Sequence, residues 1–159
     1  MKTYAEYLQM VNEALSPQLR SLGYIPEKLL ESMEYSLAAG GKRLRPVLLL
    51  AACDMLGGDV EQAKVPAAAL EMIHTYSLIH DDLPCMDDDD LRRGKPTTHK
   101  AYGETLAILA GDALQPEAFR LILTAPDLTA ERRANCALVL AQSVGADGKL
   151  SLYYTFPYT

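Results

Sequence analysis

Residues 81–90 hold six aspartates: Asp81, Asp82, Asp87, Asp88, Asp89 and Asp90. Carboxylates crowded this closely repel one another, and a hard cation among them makes the crowding tolerable. Mg²⁺ takes one or two protein carboxylates and leaves its other positions to water and substrate phosphates. Cationic segments flank the run on both sides. Gly40-Gly41-Lys42-Arg43-Leu44-Arg45-Pro46 lies upstream and Arg92-Arg93-Gly94-Lys95 follows directly. In the first, two glycines free the backbone, three cations follow, and Pro46 suits the opening of a helix, where anions are readily held. Arginine adds a planar fork that matches phosphate oxygens. One acidic cluster between two basic ones could hold two diphosphates, one bridged by metal and one by cations alone.

The spacing constrains the geometry. Asp81 and Asp87 are separated by about 240° on an ideal helix and would not share a face of a straight one. Pro84 disfavours helical geometry at Leu83. The chain is therefore expected to open after Asp82 and bring Asp87 back beside the helix end. His74 precedes Asp81 by about 10.5 Å along the same helical face, a distance that lets the histidine touch one ligand while Asp81 holds metal on its neighbour. His80 reads as a packing or outer hydrogen-bonding residue. His99 has no assignment, and Cys85, inside the run, has no expected catalytic role.

Three segments together resemble the trans-isoprenyl diphosphate synthases, specifically bacterial and plastid farnesyl and geranylgeranyl diphosphate synthases. They are Gly40 to Pro46, Glu71-Met72-Ile73-His74-Thr75-Tyr76-Ser77-Leu78-Ile79-His80-Asp81 onward to Thr97, and Leu109-Ala110-Gly111-Asp112-Ala113-Leu114. The resemblance covers roughly residues 30–148. It implies an all-α helical bundle of the isoprenoid synthase type, Mg²⁺ as cofactor, and isopentenyl diphosphate with an allylic diphosphate (dimethylallyl or geranyl) as substrates. Asp81 and Asp87 match catalytic, metal-binding aspartates, with Asp82 counted among the metal ligands and Asp88 as a neighbour. Arg92 matches the arginine gripping the allylic diphosphate. Lys42, Arg45, His74 and Arg93 match the residues that bind isopentenyl diphosphate. Product length in the family depends on bulk just before the aspartates. The resemblance makes Tyr76 the floor, whereas an ideal wheel places Ser77 under Asp81. A bulky floor favours a farnesyl over a geranylgeranyl product.

The elements that must position these residues read almost entirely as helix, with Ala, Leu, Glu, Met and Gln plentiful and period-2 alternation absent. Six helical regions are expected: Thr3–Leu15; from Pro26 to Ala39, stopped by Gly40-Gly41; Pro46–Leu56; from after Asp59 to about Leu83; about His99–Leu123, with Pro116 marking a kink or a new first turn; and Thr129 to about Val144. A loop is expected at Gly94–Pro96 and a turn at Gly145–Gly148. The bundle is expected to be incomplete. Residues 1–148 read as the N-terminal half of a synthase domain and 149–159, rich in tyrosine, as a non-matching tail. The family's second aspartate-rich motif has no counterpart. Lys149 departs from its glycine-rich region, as a truncation or a frameshift there would produce. Such a chain is expected to expose helix surfaces that would otherwise face a core.

The 159 residues are 49% hydrophobic and 23% charged, an ordinary globular balance. The net charge of −6 equals the six aspartates of residues 81–90 and argues against nucleic-acid or anionic-membrane partners. Three widely spaced cysteines, no apolar leader and no stretch near the ~20 residues of a membrane span read as a cytoplasmic chain. The resemblance implies a homodimer for a complete protein. A helical metal phosphohydrolase using His80-Asp81 needs further His and Asp ligands, with His74 and His99 the only other histidines, and leaves Arg92-Arg93 unexplained, and no EF-hand loop exists. The serious alternative to prenyl chain elongation is a non-catalytic diphosphate-binding fragment or a regulatory subunit of a prenyl synthase.

Overall fold

Tyr7, Val11, Leu15 and Leu19 recur every four residues, and all four are buried. This stripe forms the inner face of helix α1 (Tyr4–Arg20). It carries the helix past the expected end at Leu15 and through Pro17, because burying Leu19 outweighs the hydrogen bond that proline removes. The computed structural model describes residues 1–20, 23–146 and 148. Helices α2 (Glu27–Leu37) and α3 (Leu44–Met55) follow, with Gly40 and Gly41 in positive-φ conformations between them.

Helix α4 (Val60–Asp81) starts on Asp59, whose carboxylate accepts the Glu61 N–H at 2.9 Å. It buries Ala67, Ala68 and Ala69 in succession, then Met72, Ile73, Tyr76 and Ile79. A helix apolar on every side belongs in the middle, and α4 packs against α1, α2, α3, α7 and, most extensively, α6. It ends at Asp81 rather than Leu83, consistent with the restriction that Pro84 places on Leu83.

Two strands, β1 (Leu91–Arg92) and β2 (Lys95–Pro96), pair antiparallel where only a loop was expected. The two residues between them, Arg93 and Gly94, have φ of 54° and 78°, the positive-φ pair of a tight hairpin turn. The fifth helical region divides into α5 (Thr98–Tyr102) and α6 (Glu104–Leu123), giving seven helices among the described residues rather than six. Gly103, at φ 86° and ψ 156°, makes the break. Pro116 opens no new helix: α6 continues through it, holding Leu114, Ala118, Leu121 and Ile122 in the core. Helix α7 (Ala130–Val144) begins at Thr129, whose hydroxyl accepts the Arg132 N–H at 3.3 Å.

The Gly148 N–H donates to Gly145 O at 3.0 Å, in line with the expected turn; Asp147 and residues 149–159 lie outside the described residues. Leu48 and Met55 on α3, Leu56 at its C-cap, and Leu138 and Val139 on α7 are exposed. Among the described residues no helix is long and apolar enough to cross a membrane.

Candidate diphosphate and metal site

The aspartate run sits where α4 ends. Asp82 is the C-cap, and the chain turns back over residues 82–87. Leu83 O accepts the N–H groups of Met86 (2.8 Å) and Asp88 (3.1 Å), and the Asp87 N–H donates to Asp81 O at 2.8 Å. The expected return of Asp87 to the helix end is thus a main-chain hydrogen bond to Asp81 itself. Asp81 is half-buried, whereas Asp87 to Asp90 face solvent. Among the described residues no three His, Cys, Asp or Glu side chains gather into a closed metal cage. Two hard carboxylates joined by a tight turn are nonetheless a donor set that suits Mg²⁺, which fills its other positions with water and phosphate oxygens.

Asp82, grouped on the sequence with the metal ligands, lies elsewhere. It is 2% exposed, and Arg92 engages both its oxygens: Nε donates to Oδ1 at 2.8 Å and to Oδ2 at 2.9 Å, and Nη2 donates to Oδ1 at 2.5 Å. The hydrogen bonds to Asp82 hold Arg92 above the ordinary guanidinium range, against the opposing effect of burial. In this arrangement Asp82 fixes Arg92, and Arg92 leans toward Asp89 at 3.7 Å.

The two basic segments meet. Along Lys42-Arg43-Leu44-Arg45 only Arg43, with φ of 47°, turns inward, to 5% exposure. There it pairs with Glu71 at 2.6 Å and donates to Leu37 O and, at 3.4 Å, to Asn12 Oδ1. Lys42 and Arg45 are left outside. Arg45 Nη1 approaches His74 Nε2 at 3.3 Å; arginine has only donors, so the imidazole accepts. Across the hairpin, Arg93 lays its guanidinium on Gly41, where a Cβ would stand 2.3 Å from the guanidinium carbon. Desolvation, then the nearby Arg43 charge, pull Arg93 below the ordinary guanidinium range, with Glu71 opposing. Lys42, Arg45, His74 and Arg93 thus come from three parts of the chain to the Gly41 loop and the adjacent face of α4. The buried Arg43–Glu71 pair beneath them was not foreseen. Its signal was Glu71, a lone charge amid Ala67-Ala68-Ala69-Leu70 and Met72-Ile73.

Below Asp81 runs an apolar groove of about 400 Å³, lined by Tyr76, Ser77, His80, Leu83, Met86 and Ile108 among others. Tyr76 and Ser77 therefore both border the space before the aspartates, and the choice between them is one of bulk. Burial first, and the Asp81 charge second, push the Tyr76 hydroxyl above its usual range. His80 stands edge-on to Tyr76, with centroids 5.9 Å apart, and donates from Nε2 to Ile108 O at 3.2 Å. It occupies the notch over Gly111, where an added Cβ would lie 2.2 Å from Nε2. Gly111→Ala should gain up to ~1 kcal/mol in helix propensity yet be destabilised overall, by roughly 1–2 kcal/mol, because His80 must leave the notch. Denaturant titration checks this. His80→Ala added to Gly111→Ala should recover most of the loss, and no recovery would show that His80 is not what the methyl meets.

A model of the Polyprenyl synthetase family matches residues 26–145. A chloroplastic geranylgeranyl pyrophosphate synthase of Capsicum annuum is 56% identical over 77% of this chain and 34% of its own. A farnesyl diphosphate synthase of Bacillus subtilis is 52% identical over 78% of this chain and 43% of its own. The chain therefore spans less than half the length of these curated relatives. In three dimensions, the crystal structure of a geranyltransferase from Legionella pneumophila superposes with a TM-score of 0.89 at 41% identity, over 93% of this chain and 53% of that one. The all-α fold expected from the motifs is borne out, and the chain belongs to the polyprenyl synthetase family.

Proposed function

We propose that this chain carries the Mg²⁺-dependent, diphosphate-binding part of a prenyltransferase that condenses isopentenyl diphosphate with an allylic diphosphate. In that reaction the allylic C–O bond breaks, the isopentenyl double bond attacks the freed carbon, and a proton is lost. The observation that carries the reading is the turn returning Asp87 to Asp81 beside two converging basic segments. Asp81 and Asp87 would hold Mg²⁺, which when bound supplies electrostatic stabilisation of charge developing on the leaving diphosphate. Arg92, aligned by Asp82, grips the same diphosphate. Lys42, Arg45, His74 and Arg93 clamp the second one without metal. The groove under Asp81 receives the growing chain, and the bulk of Tyr76 in its lining favours a farnesyl product.

The test is incubation of the purified chain with isopentenyl and dimethylallyl diphosphates and Mg²⁺, followed by chromatography of the prenyl products. Farnesyl diphosphate is the expected product. Absence of product, with Mg²⁺-dependent pyrophosphate binding retained, would replace the catalytic reading by the non-catalytic binding one. Loss of both would remove the diphosphate assignment.

A further inference from the structure

The exposed run from Asp87 to Asp90 is tied down by its backbone at both ends, and the Asp90 carboxylate also meets Lys100 Nζ at 2.7 Å. At one end the Asp87 N–H rests on Asp81 O. At the other, the anchor is Thr97, the N-cap residue of α5. A threonine there ordinarily turns its hydroxyl onto the first free N–H groups of its own helix. This one makes no such bond. Its Oγ1 donates instead to Asp89 O at 2.8 Å, and its N–H donates to Asp90 O at 3.0 Å. Both hydrogens of a residue only 2% exposed are thus spent on the backbone of the aspartate run.

Behind Thr97 stands His99, 6% exposed, with Nδ1 at 3.1 Å from Thr97 Oγ1. A carbonyl can only accept, so the single hydroxyl proton of Thr97 goes to Asp89 O, and the contact with His99 has to be Nδ1–H donating to Oγ1. The tautomer is fixed by that bond. Nε2 is buried and has no hydrogen-bond partner among the described residues. The relay therefore runs one way, from imidazole to hydroxyl to carbonyl.

We infer that Thr97 and His99 are positioning residues that set the backbone of Asp89 and Asp90, and through it the presentation of the neighbouring carboxylates to metal and diphosphate. Neither side chain touches a ligand in this assignment. The part concerning ligands rests on the proposed Mg²⁺–diphosphate reading; the relay does not.

The experiment compares Thr97→Val, His99→Leu, His99→Asn and His99→Gln in the full chain, below the melting temperature of every variant. Calorimetry gives the affinity for inorganic pyrophosphate with Mg²⁺, and amide hydrogen exchange without ligand follows residues 86–92 against the middle of α4. Thr97→Val and His99→Leu should weaken Mg²⁺-dependent pyrophosphate binding roughly tenfold or more, as loss of an outer hydrogen-bonding partner does at metal sites. They should also speed exchange over 86–92 and leave α4 unchanged. His99→Asn, whose amide stands in for Nδ1–H, should keep both properties near the original. His99→Gln, whose amide falls at the Nε2 position, should behave like His99→Leu. Long-range ¹H–¹⁵N spectra of the unsubstituted chain should show the Nδ1–H tautomer. An Nε2–H tautomer, equal behaviour of His99→Asn and His99→Gln, or unchanged exchange in Thr97→Val would overturn the inference. If the unsubstituted chain binds no pyrophosphate, the function reading fails, and the exchange and tautomer measurements alone decide the relay.

Discussion

Glu71→Ala is expected to cost about 3–5 kcal/mol of stability, the largest loss from any single polar truncation considered for this molecule. Glu71 is 1% exposed and Arg43 5%, and the two are joined at 2.6 Å. Removing the carboxylate leaves a guanidinium enclosed with, among the described residues, only Leu37 O and Asn12 as partners. Arg43 is also the N-cap residue of α3 and holds a left-handed backbone there. For a domain of this size each kcal/mol shifts the melting temperature by roughly 2–4 °C, so calorimetry should register a fall of about 10 °C. The effect belongs to the pair. Arg43→Met combined with Glu71→Leu removes both charges, and its cost should be well below the sum of the single substitutions, with a coupling of about 1–3 kcal/mol in the double-mutant cycle. Additive losses, or a Glu71→Ala penalty under about 1 kcal/mol, would show that the pair is not the anchor described. A functional consequence follows. Glu71 is the negative charge that opposes Arg43's effect on Arg93. Without it, the repulsion between Arg43 and Arg93 is less offset, and the hold on Arg93 beside Gly41 should weaken in molecules that remain folded.

The pair also shows where reading the sequence reached its limit. Lys42, Arg43 and Arg45 are alike in charge and closely spaced, and nothing in residue type says that the middle one points inward. The φ of 47° at Arg43 decides it, and backbone sign at a non-glycine residue leaves no compositional trace. The Arg93-Gly94 hairpin escaped for a related reason: two-residue strands are too short for alternation to register. By contrast, the turn at Asp87 was legible because it follows from two local facts, the helical angle between positions 81 and 87 and the restriction Pro84 places on Leu83. Helix α4 was legible through its length and apolar content. The first helix runs past the end expected at Leu15, and no new helix opens at Pro116, because tertiary burial of Leu19, Ala118 and Leu121 overrides a local preference. Asp82 illustrates the boundary between the two kinds of knowledge. Its place in the acidic run is sequence, and its closure by Arg92 is geometry.

Asp81→Ala is expected to abolish Mg²⁺-dependent binding of the allylic diphosphate, a loss of about a hundredfold or more, while leaving the fold intact. The structural half of that statement rests on which atom does the holding. Asp87 is returned to α4 by the main-chain carbonyl of residue 81, which alanine retains. Removing one carboxylate from the run also relieves like-charge repulsion. In chelator, the melting temperature of Asp81→Ala should therefore be equal to or above that of the unsubstituted chain, and the stabilisation that Mg²⁺ with pyrophosphate confers should vanish. Lys42→Ala should divide the ligands differently. Lys42 is exposed, accepts from Tyr4 at 2.6 Å through its backbone carbonyl, which alanine retains, and is assigned to the proposed metal-free cationic set. A charge-assisted hydrogen bond contributes about 1.5–3 kcal/mol, so affinity for isopentenyl diphosphate should fall roughly ten- to a hundredfold with the allylic ligand little changed. Calorimetric titration of both ligands into both variants decides the matter. Equal losses for the two ligands in either variant would mean that metal-held and cation-held diphosphates are not separate in this molecule, and the division of labour between the aspartate turn and the Gly41 loop would have to be abandoned.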